Sequence, residues 1–150
     1  MDRFDKLKQL IESSSEVVEF ADFGHGISDE WIQRAEAALA VEFPPTYRWW
    51  LRNYGGGEVG GEEIYSVYGE NFDTVVGGDV VYMNRTKQAN GLLTQSQLAI
   101  CHSDVDGLFY FDVSLRDDNR ECPIRSAATA RVYAQDFIEF LEKRIRAHCR

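Results

Sequence analysis

Two short helices, separated by prolines and followed by three glycines, constrain this chain more than any other feature. The stretch covers residues 32–57 and reads IQRAEAALAVEFPPTYRWWLRNYGGG. Ile32, Ala35 and Leu39 recur at helical spacing and predict one buried face. Proline is tolerated in a first turn but not in a helix interior, so Pro44 and Pro45 end the first helix and start the second.

The second helix carries an aromatic stripe. Its members follow one another at helical spacing and are Tyr47, Trp50, Leu51 and Tyr54. Gly55 stands where the C-terminus of a helix favours a left-handed residue. We expect the stripe to lie in the core, whereas Trp31 and Trp49 should be partly buried. An exposed indole would suit a protein interface.

Helical spacing also predicts a helix at each end of the chain and one in the middle. The first begins near Phe4 and ends at the serine run 13–15, and the last runs from about Gln135 to His148. Ser28 is expected to cap the helix that contains Ile32. Asp79 is placed to cap a helix through residue 89, although the run after it would also suit a strand.

Alternating patterns predict strands between these helices. They cover residues 63–68, 98–101 and 108–111, and a turn at 104–107 joins the last two. A strand at 123–125 is expected at a sheet edge because of Pro123. Residues 17–27 are interpreted as a connection. The pattern predicts an α+β fold with N-terminal helices, a central mainly antiparallel sheet and a covering C-terminal helix, in one domain over residues 1–150.

Charge is distributed unevenly along the chain. The net charge is −9, and residues 53–112 hold 9 acids but only 2 bases. This excess disfavours direct binding to nucleic acid and favours a basic protein partner. Acidity would also serve solubility. No apolar run is long enough for a membrane span, and Asp2 and Asp5 stand where a signal peptide carries positive charge, so we expect a cytoplasmic protein.

Catalytic and metal-binding patterns are weak. His102, Asp104 and Asp106 are close in sequence, but a solvated turn explains them without a metal ion. Cys101 and His102 are neighbours on a predicted strand, so their side chains should point to opposite faces. The three cysteines are odd in number and lack CxxC spacing, which is typical of free thiols. We therefore expect no catalytic residue, no metal and no cofactor.

Three ordered blocks resemble the SUKH superfamily, in its Smi/Knr-type branch. The first is the helix–proline–helix–glycine stretch from Ile32 to Gly57. The second runs from Leu98 through Asp106-Gly107 to Asp112 and looks like the central hairpin of that family. The third, residues 136–141, looks like its final Phe-x-x-Phe-Leu helix.

The resemblance implies a bacterial immunity protein that binds and neutralises a cognate polymorphic toxin, often a nuclease. Fungal relatives look instead like regulators of cell-wall synthesis, so a regulatory or scaffold module without a toxin partner is the alternative. The family motifs are largely structural and imply no catalytic residue. The surface that meets the partner varies with the toxin.

The acidic segment after Gly57 is the candidate partner-binding site. Its members are Glu58, Glu62, Glu63, Glu70, Asp73 and Asp79. We predict that these carboxylates mimic phosphate charge and occupy the basic groove of a nuclease toxin. The alternative is a solvated, loop-rich face.

Overall fold

Five helices and seven strands lie within residues 2–149, the part of the chain that the computed structural model describes. The helices are α1 (Arg3–Ser13), α2 (Asp29–Leu39), α3 (Pro45–Tyr54), α4 (Val80–Ala89) and α5 (Phe137–His148). The strands are β1 (Val18–Phe20), β2 (Gly57–Val59), β3 (Glu62–Ile64), β4 (Gln97–Ser103), β5 (Gly107–Asp112), β6 (Ile124–Ser126) and β7 (Val132–Ala134). The predicted α+β architecture is confirmed.

The strands form one sheet whose spatial order is the order along the chain, with every neighbouring pair antiparallel. Two expectations about it are wrong. Residues 17–27 contain β1, which forms an edge of the sheet. β6 lies inside the sheet because β7 pairs with it, and Pro123 precedes the strand, where its carbonyl accepts from the Asp112 N–H at 2.9 Å.

The predicted helix pair forms the centre of the core. Ile32, Tyr47 and Trp50 are buried, and Gly55 ends α3 with a positive φ of 79°. The Tyr47 ring lies 5.1 Å from that of Phe137 on α5, so the C-terminal helix packs on this aromatic stripe. These contacts confirm that the stripe belongs to the core rather than to a site.

A carboxylate distant in sequence caps α3. Pro44 has no side chain that can cap the helix, and Glu121 instead accepts from the Thr46 backbone N–H at 3.1 Å and from its hydroxyl at 2.8 Å. Burial raises the pKa of Glu121, against the effect of these hydrogen bonds. The loop before β6 is thereby fixed to the start of α3.

The helix prediction for residues 79–89 is confirmed, and α4 explains why β3 is shorter than expected. The Tyr65 N–H still donates to the Ile100 carbonyl of β4 at 2.7 Å, but beyond Tyr65 the chain leaves β4. The Asn84 side chain then makes the hydrogen bonds that a neighbouring strand would make. Its amide donates to the Ala99 carbonyl at 2.9 Å and accepts from the Ala99 N–H at 2.7 Å. The Ala99 backbone groups of β4 therefore remain hydrogen-bonded where β3 has ended.

Candidate partner-binding surface

The first three strands have two different faces, one buried and one outward. Side chains alternate along a strand, so residues paired across neighbouring strands share a face. Val18, Val59 and Glu62 are paired in this way, and both valines are buried towards the helices. The next row along the strands points to the opposite, outer face of the sheet.

That outer row consists of three glutamates. Glu58 on β2 is paired directly with Glu19 on β1 and with Glu63 on β3. Glu19 and Glu63 are exposed and Glu58 is half-buried. None of the three forms an ion pair within residues 2–149. We call these residues the glutamate row. Like charges directly opposite one another destabilise a sheet, so the fold carries this row at an energetic cost.

One member of the glutamate row is held in place by its surroundings. The Tyr68 hydroxyl donates to Glu63 Oε2 at 2.5 Å and accepts from the Gly78 N–H at 2.8 Å. A Cβ at position 78 would clash with the Glu63 carboxylate, so glycine leaves room for this group. Partial burial and the hydrogen bond to Glu63 raise the pKa of Tyr68 to about 12. The Glu63 carboxylate is thus fixed beside an exposed tyrosine.

Glu62 faces the other way. Its Oε1 atom accepts from Arg144 Nη2 at 2.5 Å, and Arg144 Nη1 donates to Asp106 Oδ2 at 2.9 Å. The Arg144 side chain is only 4% exposed. Burial alone would raise the pKa of Glu62, but hydrogen bonds from Arg144 and Ser103 lower it. Glu62 is therefore part of an ion network that joins α5 to β3 and the β4–β5 turn, and it does not lie with Glu58 and Glu63.

Asp79 was predicted to belong to the partner-binding site, but its side chain is fully buried. Its Oδ1 atom accepts from the Tyr82 N–H and its Oδ2 atom from the Tyr68 N–H, both at 3.0 Å. Asp79 caps α4 and has no accessible carboxylate for a partner. Glu70 and Asp73 are exposed in the loop between β3 and α4, and Asp73 lies 3.7 Å from Arg85.

Glu19 was missed because its segment was interpreted as a connection. The alternation of buried Val18, exposed Glu19 and half-buried Phe20 is the signal that could have identified the strand. Three residues are too few for a period-two pattern to stand out.

The residues considered for catalysis are separated by the fold. Cys101 is buried, which raises the pKa of its thiol to about 12, and His102 is exposed on the opposite face. Asp106 is paired with Arg144, while Asp104 is exposed. Within residues 2–149, no group of three or more His, Cys, Asp or Glu side chains is placed to hold a metal ion. In the same range, no helix has both the length and the apolar character needed to cross a membrane.

Comparison with known families identifies the family of this chain. The sequence model of the SMI1-KNR4 cell-wall family, a SUKH family, matches residues 29–141. The match begins with α2, includes the helix pair and the β4–β5 hairpin, and ends within α5. Glu58 and Glu63 lie inside it and Glu19 lies outside. Members of this family are generally non-catalytic immunity or regulatory domains. The chain belongs to the SUKH superfamily, in its SMI1-KNR4 family.

Proposed function

We propose that this protein is an immunity protein that binds a cognate polymorphic toxin and neutralises it through the outer face of β1–β3. The observation that carries the proposal is the glutamate row, in which three carboxylates face outward without a cationic partner among the described residues. A binding site is where a fold tolerates a locally unfavourable arrangement. A basic partner would relieve the repulsion within the row.

The geometry of the row suits a groove built for nucleic acid. Neighbouring strands lie about 4.8 Å apart, so the three carboxylates form a short line of negative charge, as successive phosphates do. A nuclease toxin holds its substrate with basic side chains, and these would be complementary to the row. Glu70 and Asp73, exposed in the loop after β3, would extend the same negative field.

Apolar contact area lies beside the charges. Tyr68, hydrogen-bonded to Glu63, is 39% exposed, and Val76, further along the same segment between β3 and α4, is 63% exposed. An exposed aromatic ring next to oriented charges is typical of an interface hot spot. We propose that Tyr68 and Val76 supply the apolar part of the contact, while the glutamate row supplies orientation and fast association.

The decisive experiment is co-expression with the product of the adjacent gene, together with binding kinetics for a triple variant. Glu19→Gln, Glu58→Gln and Glu63→Gln should together slow association at least about tenfold at low salt. They should also flatten the salt dependence and abolish rescue of growth.

A charge-matched control keeps this test specific. Glu16→Gln, Asp104→Asn and Asp118→Asn remove the same net charge from exposed positions that make no side-chain hydrogen bond or ion pair within residues 2–149. This control should associate nearly as fast as the wild type. Equal effects of the two triple variants would show that only net charge matters. A wild-type protein that neither binds the neighbouring gene product nor rescues growth would refute the immunity role.

A regulatory module that binds an endogenous protein is the second candidate. It is favoured by the cell-wall description of the matching family. The gene neighbourhood separates the two, since an immunity gene should directly follow a large toxin gene. Under the immunity role, the protein has nothing to rescue when the toxin is absent. A cell-wall defect on deletion of its gene would support the regulatory role.

A further inference from the structure

A small pocket lies on the helix side of β1, opposite the glutamate row. It has a volume of about 230 Å³ and is formed by α1, β1, residues 21–23 and the end of α3. Its apolar walls include Phe20 and Phe23, and its polar groups come from Glu12, Asp22 and Tyr54. Phe23, Glu12 and Asp22 are exposed, so the pocket is reachable from solvent.

Tyr54 lines this pocket, and its buried hydroxyl has no hydrogen-bond partner among the described residues. Tyr54 is only 3% exposed, and its ring packs 5.5 Å from Phe20 and 5.4 Å from Phe23. Burial and, secondly, the charge of Glu12 raise the pKa of Tyr54 to about 12. A buried hydroxyl without a partner is costly, and a bound group that hydrogen-bonds to it would remove that cost.

The charge of the pocket is one-sided. Glu12 and Asp22 form no side-chain ion pair or hydrogen bond within residues 2–149, and no basic side chain from that range lines the cavity. Lys8 stands nearby, with its Nζ 4.3 Å from the centre of the Phe23 ring. The Phe23 ring therefore already interacts with one cation, and the two carboxylates remain available to another.

We propose that this pocket receives an arginine side chain of a partner protein. The planar guanidinium carries five donors, which would serve the carboxylates of Glu12 and Asp22 and the Tyr54 oxygen. Its plane would also stack on an aromatic ring, as an ammonium group cannot. The proposal does not depend on the glutamate row, because the two features lie on opposite faces of β1.

Aromatic side chains that continue outward from Phe23, next to the pocket, favour a protein partner. Phe4 is 37% exposed, and its ring lies 4.7 Å from that of Trp49, which in turn lies 6.3 Å from Phe23. An apolar rim around a charged contact excludes water and strengthens it. The partner would thus present an arginine flanked by apolar side chains.

Titration of the full chain with N-acetyl-arginine amide, followed by amide chemical shifts in NMR spectra, tests the pocket. Saturable shifts should appear at residues 12, 20–23 and 54. The uncharged citrulline analogue should produce none, and the lysine analogue should bind more weakly. Glu12→Gln should weaken arginine binding by about tenfold. Glu16→Gln changes a residue in the turn after α1 that does not line the pocket, and it should leave binding unchanged.

Tyr54→Phe provides a second, independent readout. Removing the unpartnered hydroxyl should raise the urea midpoint of the free protein and weaken arginine binding, whereas a purely structural tyrosine would lose stability on the same change. The proposal is overturned by absent shifts at these residues, by citrulline binding as well as arginine, by lysine matching arginine, or by unchanged binding in Glu12→Gln. None of these results depends on the toxin, so they leave the proposed function to its own test.

Discussion

Replacing Glu58 by glutamine should make this protein more stable. Glu58 is the middle member of the glutamate row and is paired with Glu19 on one side and Glu63 on the other. Glutamine keeps the size and the polarity of the side chain but removes both repulsions. Each outer member has only one such neighbour, so Glu19→Gln should gain about half as much.

The expected gain follows from the register. Directly opposed Cβ atoms lie about 5 Å apart, and carboxylates roughly 6 Å apart in water repel one another by about 0.7 kcal/mol. Removing the repulsion from both neighbours should therefore stabilise the Glu58→Gln variant by about 1.4 kcal/mol at low salt. At physiological salt, with a Debye length of about 8 Å, about half of this gain remains.

Urea unfolding followed by tryptophan fluorescence measures the effect, since Trp50 is fully buried. The midpoint of Glu58→Gln should rise at about 10 mM salt and rise less at about 1 M, where the Debye length is about 3 Å. Glu16→Gln is the control, because it removes one charge outside the strands. In the Glu58→Gln background, Glu19→Gln should add almost nothing. An unchanged or lowered midpoint for Glu58→Gln at low salt, with an unchanged m-value, would refute the reasoning.

Three further predictions concern the framework around the row. Arg144→Met keeps the aliphatic packing of α5 but leaves Glu62 and Asp106 without the Arg144 cation. The free energy of unfolding from urea titration should therefore fall by about 3 kcal/mol. A loss below about 1 kcal/mol would contradict the role of this network. The folded state lowers the pKa of Glu62 below its ordinary value of 4.5. The stability that Glu62 contributes is therefore present above that pH and is lost as the pH falls through the lower, folded value. Urea midpoints measured against pH should show this acid loss in the wild type and less of it in Arg144→Met. Asn84→Ala removes both hydrogen bonds to the Ala99 backbone and should cost about 3 kcal/mol in the same assay, and a near-neutral result would show that water replaces the amide.

The local elements were predictable because their signals lie within a few residues. The Ser28 cap accepts from the Trp31 N–H, and the helix that begins after Asp79 forms although its first residues would suit a strand. In both cases a capping side chain satisfies backbone donors of the first turn. The β4–β5 hairpin was equally predictable, since its two alternating segments are joined by a short turn around Gly107.

Three of the five three-residue strands were not predictable in the same way. These are β1, β2 and β7, and β2 begins at a glycine. Such segments become strands only because a neighbour supplies the hydrogen bonds. The early end of β3 likewise depends on Asn84, which is twenty residues further along and replaces a strand with its side chain.

The sequence by itself determined the family, the helix pair and the acidity of the middle of the chain, because these follow from spacing and composition. Only the tertiary structure decided which carboxylates act together. Glu62 and Glu63 are adjacent, yet strand alternation directs one to Arg144 and the other to the outer face. Asp79 is buried as a helix cap, while Glu19 joins the row from β1. A shared face depends on strand register between distant segments, and spacing along one chain does not encode that register.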